Sequence, residues 1–168
     1  AIGYQSLYTY EPGDGEGFNT GLGYRSGFAL STGENNLYTG HSAGYFNATG
    51  DNNTYVGYKA GYGATGESNS GNTGVGKDAL LAVTTGGYNT AIGFQTGLAI
   101  TDVDLTTLVG YKAGSSLNHA DADGTICIGT SAGEAITSGE RNTAIGYQSI
   151  RYPSIGADDC IAIGYNAI

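Results

Sequence analysis

A short phrase typified by NTAIGYQ recurs along this 168-residue chain, and its period constrains the fold more than any other feature. Successive copies are 17 to 20 residues apart, and their central glycines are Gly3, Gly23, Gly40, Gly57, Gly76, Gly93, Gly110, Gly129, Gly146 and Gly164. A unit this short cannot bury a core alone, so the copies must stack and pair strand against strand. We therefore expect an all-β fold over residues 1–168, a single parallel β-solenoid domain of about ten coils with about 18 residues per coil.

The residues around the central glycine alternate in character. The preceding residue is aliphatic in nine of the ten copies, and the following residue is aromatic in seven. A period of two is typical of a strand with one buried face, and we expect these aliphatic and aromatic columns to form the core. A second apolar segment and a turn rich in Gly and Asn complete each copy, which predicts strand, kink, strand and turn. The central glycine itself indicates a close approach of two backbones.

Asparagine stands four residues before the central glycine in six copies. Identical side chains in stacked coils can form an amide ladder, each hydrogen-bonded to the next. The alternative is that asparagine merely satisfies the chemistry of the turn. The predicted ladder residues are Asn19, Asn36, Asn53, Asn72, Asn89 and Asn142.

Composition and charge exclude several classes of function. The net charge is −9, which disfavours a nucleic-acid partner, since no basic stripe is available to displace counterions from phosphate. No apolar run approaches the roughly 18 residues of a membrane-spanning helix, so we expect no membrane insertion in this segment. His41, in an otherwise aromatic column, and His119, in an acidic turn, lack the sequence context of a nucleophile or a metal site. We expect no enzymatic activity; the alternative, a polysaccharide-active enzyme, requires a carboxylate pair at a groove, whereas these acids concentrate in turns.

Acidic turns raise the question of a bound cation. Asp121 and Asp123, with the carbonyl of Gly124, offer the hard oxygen ligands that Ca²⁺ prefers. The alternative is a solvated, like-charged edge that keeps the rod soluble, and no full calcium-loop pattern is present. We expect no other cofactor. Because every third turn is longer, a second architecture also remains open, in which three copies make one layer of a three-sided chain.

Surplus tyrosines are the best candidates for ligand binding. Tyr38 and Tyr55 share the column two residues before the glycine in adjacent coils, and Tyr45 and Tyr62 share the column five residues after it. Each pair is expected to stack at the ~4.8 Å spacing of paired strands. Exposed aromatic pairs can stack on sugar rings or anchor a protein partner. The alternative is that they pack against neighbouring chains.

The NTAIGYQ phrase, clearest at 89–97 and 142–149, resembles the head repeats of trimeric autotransporter adhesins and similar repeats of phage tail fibres. The resemblance implies a left-handed β-roll, a side-by-side homotrimer, and attachment to a host or to a surface glycan or protein receptor. It places such a segment outside the cell, on a cell or virion surface. The chain begins inside a repeat, so we expect it to be a fragment of a longer fibrous chain.

Trimerisation has a separate argument from the residues two before the central glycine. Six of them are Gly or Ala, and this face lies opposite the expected core, where small residues would let another chain approach closely. The alternative is a flat, solvated strand. A different class of function is a self-assembling extracellular filament subunit, joined end to end, because both ends show bare repeat.

Overall fold

The computed structural model describes residues 1–11, 17–151 and 157–167. These residues form one sheet in which each strand pairs in parallel with the next along the chain. The strands are β1 (Thr20–Leu22), β2 (Leu37–Thr39), β3 (Thr54–Val56), β4 (Thr73–Val75), β5 (Thr90–Ile92), β6 (Thr107–Val109), β7 (Ile126–Ile128), β8 (Thr143–Ile145) and β9 (Ile161–Ile163), with a 3₁₀ turn at Ala120–Ala122. The predicted all-β parallel solenoid is confirmed, but the described residues make about eight turns rather than about ten coils, and the first copy contributes only an isolated bridge between Ile2 and Leu22.

The register shows that one copy of the repeat makes one coil. Thr54 pairs with Leu37 in the preceding coil and with Thr73 in the following one, so residues at equal distance from the central glycine lie side by side. The alternative of three copies per layer is wrong, because successive copies are direct neighbours in the sheet.

The predicted second strand of each coil is absent from the described residues. After the central glycine the backbone takes left-handed values at the second and fourth positions, as at Lys59 (φ 53°) and Gly61 (φ 57°). These reversals bend the chain too sharply for a strand. Hydrogen bonds to the next coil continue nonetheless, as from the Gly61 N–H to the Ala79 carbonyl at 2.9 Å.

The buried face of the strand is the opposite of the one predicted. Ala91, two residues before its glycine, is 0% exposed, whereas Ile92 and Phe94 are 42% and 37% exposed. The expectation that the aliphatic and aromatic columns form the core is therefore wrong, and so is the expectation that the small residues face another chain. A coil with one short strand encloses a narrow interior, which small residues fill together with one apolar side chain from the bend, such as Leu30 or Ile100.

Glycines make room for two large rings inside the column. Tyr38 and Tyr55 occupy the strand position where most other coils have Gly or Ala, and their rings cover Gly44 and Gly61. A Cβ atom on Gly74 would lie 2.9 Å from the ring of Tyr55. The interior therefore accepts these rings because the positions that face them are glycine.

Five of the predicted ladder asparagines, Asn19 to Asn89, form a continuous column of hydrogen bonds between coils, whereas Asn142 is separated from them by Thr106 and Thr125 and bonds to the following coil. The Oδ1 atom of Asn36 accepts from the backbone N–H of Asn53 at 2.9 Å, and Asn53 accepts from Asn72 at 3.0 Å. The Nδ2 atom of Asn53 donates to the carbonyl of Asn69 at 2.8 Å and to the Asn36 amide oxygen at 3.1 Å. An amide suits this column because it supplies an acceptor and a donor together, so each side chain satisfies two backbone groups of the next turn. The two predicted roles therefore coincide, because the hydrogen bonds that link neighbouring coils also satisfy backbone groups of the turns.

The close approach of central glycines can be tested at Gly129. Its φ is +132°, and a Cβ atom would lie 2.6 Å from the carbonyl oxygen of Gly146. We expect Gly129→Ala to lower the free energy of unfolding by about 3 kcal/mol, from backbone strain plus steric overlap, as measured by urea denaturation. Gly164→Ala is the matched control, with φ +129° and nothing within 4 Å of the added atom, and should cost only about 1 kcal/mol. Equal losses would contradict an overlap between coils.

Two threonines in the asparagine column give a second test. The Thr125 hydroxyl is buried without a hydrogen-bond partner among the described residues, whereas Thr106 Oγ1 donates to Asn89 Oδ1 at 2.7 Å. We expect Thr125→Val to raise the free energy of unfolding by about 1 kcal/mol and Thr106→Val to lower it by about as much. Thermal and urea unfolding of both variants measure this, and a change of the same sign in both would contradict the assigned partners.

Candidate functional site

The most extensive surface feature is an uncharged face of the sheet, which we call the outward sheet face. Each strand contributes its first and third residues, and in β1–β9 none of these carries a charge. Several are largely exposed, including Leu22 (45%), Ile92 (42%) and Ile163 (66%). The residues are Thr20, Leu22, Leu37, Thr39, Thr54, Val56, Thr73, Val75, Thr90, Ile92, Thr107, Val109, Ile126, Ile128, Thr143, Ile145, Ile161 and Ile163.

A stack of rings, the first aromatic ladder, runs along the edge where the strands end. The centroids of Tyr24 and His41 are 4.8 Å apart, and those of His41 and Tyr58 are 5.2 Å apart. His41 thus replaces a tyrosine in an exposed stack. Further stacked pairs are Tyr4 with Tyr24, Phe94 with Tyr111, and Tyr147 with Tyr165.

A second aromatic ladder lies beyond the first and contains the predicted pair Tyr45 and Tyr62. Their ring centroids are 5.1 Å apart at an interplanar angle of 22°, and Phe28 stacks on Tyr45 at 4.9 Å. Tyr8 stacks in turn on Phe28. The rings cover one another's faces, so mainly their edges remain for a partner. This arrangement favours packing against a protein surface over stacking on a sugar ring.

The other predicted binding pair, Tyr38 and Tyr55, lies in the core. Both are 0% exposed, with ring centroids 5.8 Å apart. Tyr55 donates a hydrogen bond to Asn69 Oδ1 at 2.6 Å, and Asn47 Nδ2 donates to the Tyr38 hydroxyl at 3.1 Å. The prediction that this pair is exposed is wrong because it placed the wrong face of the strand outside.

Lysine and arginine concentrate beside the aromatic ladders, forming what we call the basic–aromatic edge. The guanidinium carbon of Arg25 lies 5.2 Å from the ring centre of Tyr24 and 5.3 Å from that of Phe28. Lys59 Nζ lies 5.6 Å from the Tyr58 ring and 5.0 Å from the Tyr62 ring. Lys77 and Lys112 make similar contacts with Phe94 and Tyr111, so this edge carries four of the six Lys and Arg residues of the chain. Arg25, Lys59 and Lys112 share the column two residues after the central glycine, and Lys77 stands one residue after it.

The opposite side of the outward sheet face, where the strands begin, is acidic. Six residues before the glycine stand Glu34, Asp51, Asp104, Asp123, Glu140 and Asp158, which we call the acidic edge. Asp51 Oδ1 accepts from the Glu34 N–H at 2.8 Å, and Asp123 Oδ1 accepts from the Asp104 N–H at the same distance. One cation lies here, Arg141, which pairs with Glu140 and Asp159 and holds the pKa of the Asp159 carboxyl below its usual value.

The two predicted calcium ligands, Asp121 and Asp123, contact different partners. Asp123 belongs to the acidic edge, while Asp121 Oδ2 lies 3.1 Å from His119 Nδ1. A cavity of about 210 Å³ nearby is lined by Asp121, Ser138, Gly139, Glu140 and Asp158. Among the described residues, no group of three or more His, Cys, Asp or Glu side chains is placed to hold a metal ion.

Comparison of the chain with protein-family models, curated proteins and solved structures found no match. Within the part of the chain that the structure describes, no helix has the length and apolar character needed to cross a membrane. Three neighbouring surfaces are therefore the candidate functional site: the acidic edge, the outward sheet face and the basic–aromatic edge.

The buried ionisable groups predict a loss of stability in alkali. Burial raises the pKa of Tyr38 and Tyr55 well above the usual tyrosine value, and raises that of Cys127 to about 12. These groups ionise more easily in the unfolded chain, so their contribution is complete below about pH 8 and is lost as the pH rises further, first for the thiol and then for the tyrosines. We expect the free energy of unfolding in urea to fall between about pH 8 and pH 12.

A pair of phenylalanine variants isolates the tyrosine contribution to this loss. Tyr38→Phe with Tyr55→Phe should make the decline above about pH 10 shallower, because two buried hydroxyls no longer ionise on unfolding. The same change at exposed Tyr24 and Tyr147 is the control and should leave the slope unchanged. Identical slopes for all three proteins would contradict the buried placement of Tyr38 and Tyr55.

Proposed function

We propose that this chain is a non-enzymatic segment of an extracellular fibre, in which copies pack side by side through the outward sheet face. The observation that carries the proposal is the continuous uncharged character of that face over nine strands, with aliphatic side chains such as Ile92 and Ile128 exposed. Side chains of this kind gain stability when another apolar surface excludes water from them.

The outward sheet face is long and narrow. Nine strands at ~4.8 Å spacing make it about 40 Å long, and the span from the first strand residue to the aromatic ladder adds about 13 Å of width. A projected area on the order of 500 Å² per chain is comparable to the largest patches on monomers, which are often functional, and is below the roughly 800 Å² that each partner contributes to a standard interface. The two aromatic ladders extend the same surface on one side.

A threefold arrangement, with attachment as its role, is supported by the resemblance of the NTAIGYQ repeats to trimeric adhesin heads and tail-fibre repeats. The small residues two before the central glycine do not support this arrangement, because from Gly21 onward they are buried in the coil. A stiff rod built this way serves as a spacer that presents receptor-binding surfaces to a host glycan or protein on a cell or virion surface.

Charge placed on the outward sheet face tests this proposal. We expect Ile92→Lys with Ile128→Lys to convert a side-by-side assembly into monomers in sedimentation velocity, since lysine at the centre of an apolar interface is costly to desolvate. Thr85→Lys with Thr137→Lys adds the same charge at exposed turn positions and should leave the assembly intact.

Circular dichroism of both variants checks that the solenoid persists. A wild-type chain that sediments as a monomer at high concentration would overturn the proposal. Long filaments in electron micrographs that persist in the Ile92 and Ile128 variant would instead favour end-to-end assembly.

A further inference from the structure

We propose that the acidic edge of one chain lies against the basic–aromatic edge of a neighbouring copy, so that the rods associate in parallel. This inference rests on the side-by-side association proposed above and names its polarity and its electrostatic partner. Its basis is that negative and positive side chains lie on opposite sides of the outward sheet face.

The two edges flank the outward sheet face and cannot neutralise each other within one chain. Lys59 follows Asp51 by eight residues, with β3 between them, so the two residues lie on opposite sides of the face. Among the described residues, no ion pair within 4 Å joins a cation of the basic–aromatic edge to a carboxylate of the acidic edge. All nine strands run in the same direction, so the acidic edge is always where they begin and the basic–aromatic edge is always where they end.

The symmetry axis of the assembly determines whether neighbouring rods are parallel or antiparallel, and therefore which edges meet. Rotation about an axis parallel to the rod, whether twofold or threefold, brings the end of the strands in one copy against the beginning of the strands in the next. Rotation about an axis along the strands would place the rods antiparallel and bring acidic edge against acidic edge. Like charges at a contact are repulsive, whereas opposite charges set its register. The charge pattern therefore selects parallel rods.

The cations are held at this edge in a form suited to a second contact. Arg25 and Lys59 each lie against two rings, one from each aromatic ladder, and both side chains remain partly exposed. Lys77 is a weaker contributor because Asp78 lies 3.8 Å away. Arg141 is the exception on the acidic edge, where it is already paired with Asp159.

A double-mutant cycle tests whether the edges face one another. Arg25→Gln, Lys59→Gln and Lys112→Gln use the residue that other coils place in this column, as at Gln95. Asp51→Asn, Asp104→Asn and Asp123→Asn keep the Oδ1 acceptors of the turns. We expect each set to weaken association about tenfold at low salt, and the combined set to weaken it no more than either alone, as measured by sedimentation equilibrium. Additive losses, or tighter association with either set, would overturn the inference.

Zero-length carbodiimide cross-linking tests polarity directly. Mixed ¹⁴N- and ¹⁵N-labelled protein should give links between chains from Lys59 and Lys112 to acidic-edge carboxylates within about two coils of the same height. An associated sample without such links overturns parallel edge contact and leaves the proposed function standing. A sample that does not associate at all overturns both.

Discussion

Hydrogen bonding between successive coils is the interaction on which the whole structure depends. No coil has a closed core, so its backbone groups find their partners in the coils before and after it. The Gly76 N–H donates to the Val56 carbonyl and the Gly93 N–H to the Val75 carbonyl, each at 2.8 Å. The central glycines have no side chain, which allows this close contact. The asparagine side chains add further hydrogen bonds to the backbone of the next coil. Stability in such an array is close to a sum over neighbouring coils.

The narrow interior that results decides how side chains are sorted. The inside of the coil holds the small residues two before the central glycine, apolar side chains from the bend such as Ile100, and rings beside glycine, as with Tyr55 and Gly74. The aliphatic residues directly before the central glycine, such as Ile92, and most of the rings then face outward. The apolar surface left on the outside is a consequence of packing in the interior, and it is this surface that makes association between chains favourable.

The direction of the strands gives this surface its polarity. Because every coil crosses the face in the same sense, a residue type that is tied to one position of the repeat accumulates along one edge. Aspartate is favoured before the strand, where its carboxylate accepts a backbone N–H, as Asp123 does from Asp104. Lysine and arginine follow the strand, where aromatic rings accommodate them, as around Lys59. A chain of net charge −9 thereby presents both signs of charge at separate places.

The period of the repeat was enough to predict a parallel solenoid with one copy per coil, the stacked glycines and the asparagine column, because each depends only on like residues recurring at equal spacing. It was not enough to predict which strand face is buried. A period of two places Ala91 and Ile92 on opposite faces of the strand, but it does not determine which face is buried. That choice depends on the width of the coil, which is set by the left-handed residues after the glycine, as at Lys59 and Gly61. The same bends replace the expected second strand. Only the folded chain shows that the aromatic ladders with their cations lie on one side of the outward sheet face and the acidic edge lies on the other.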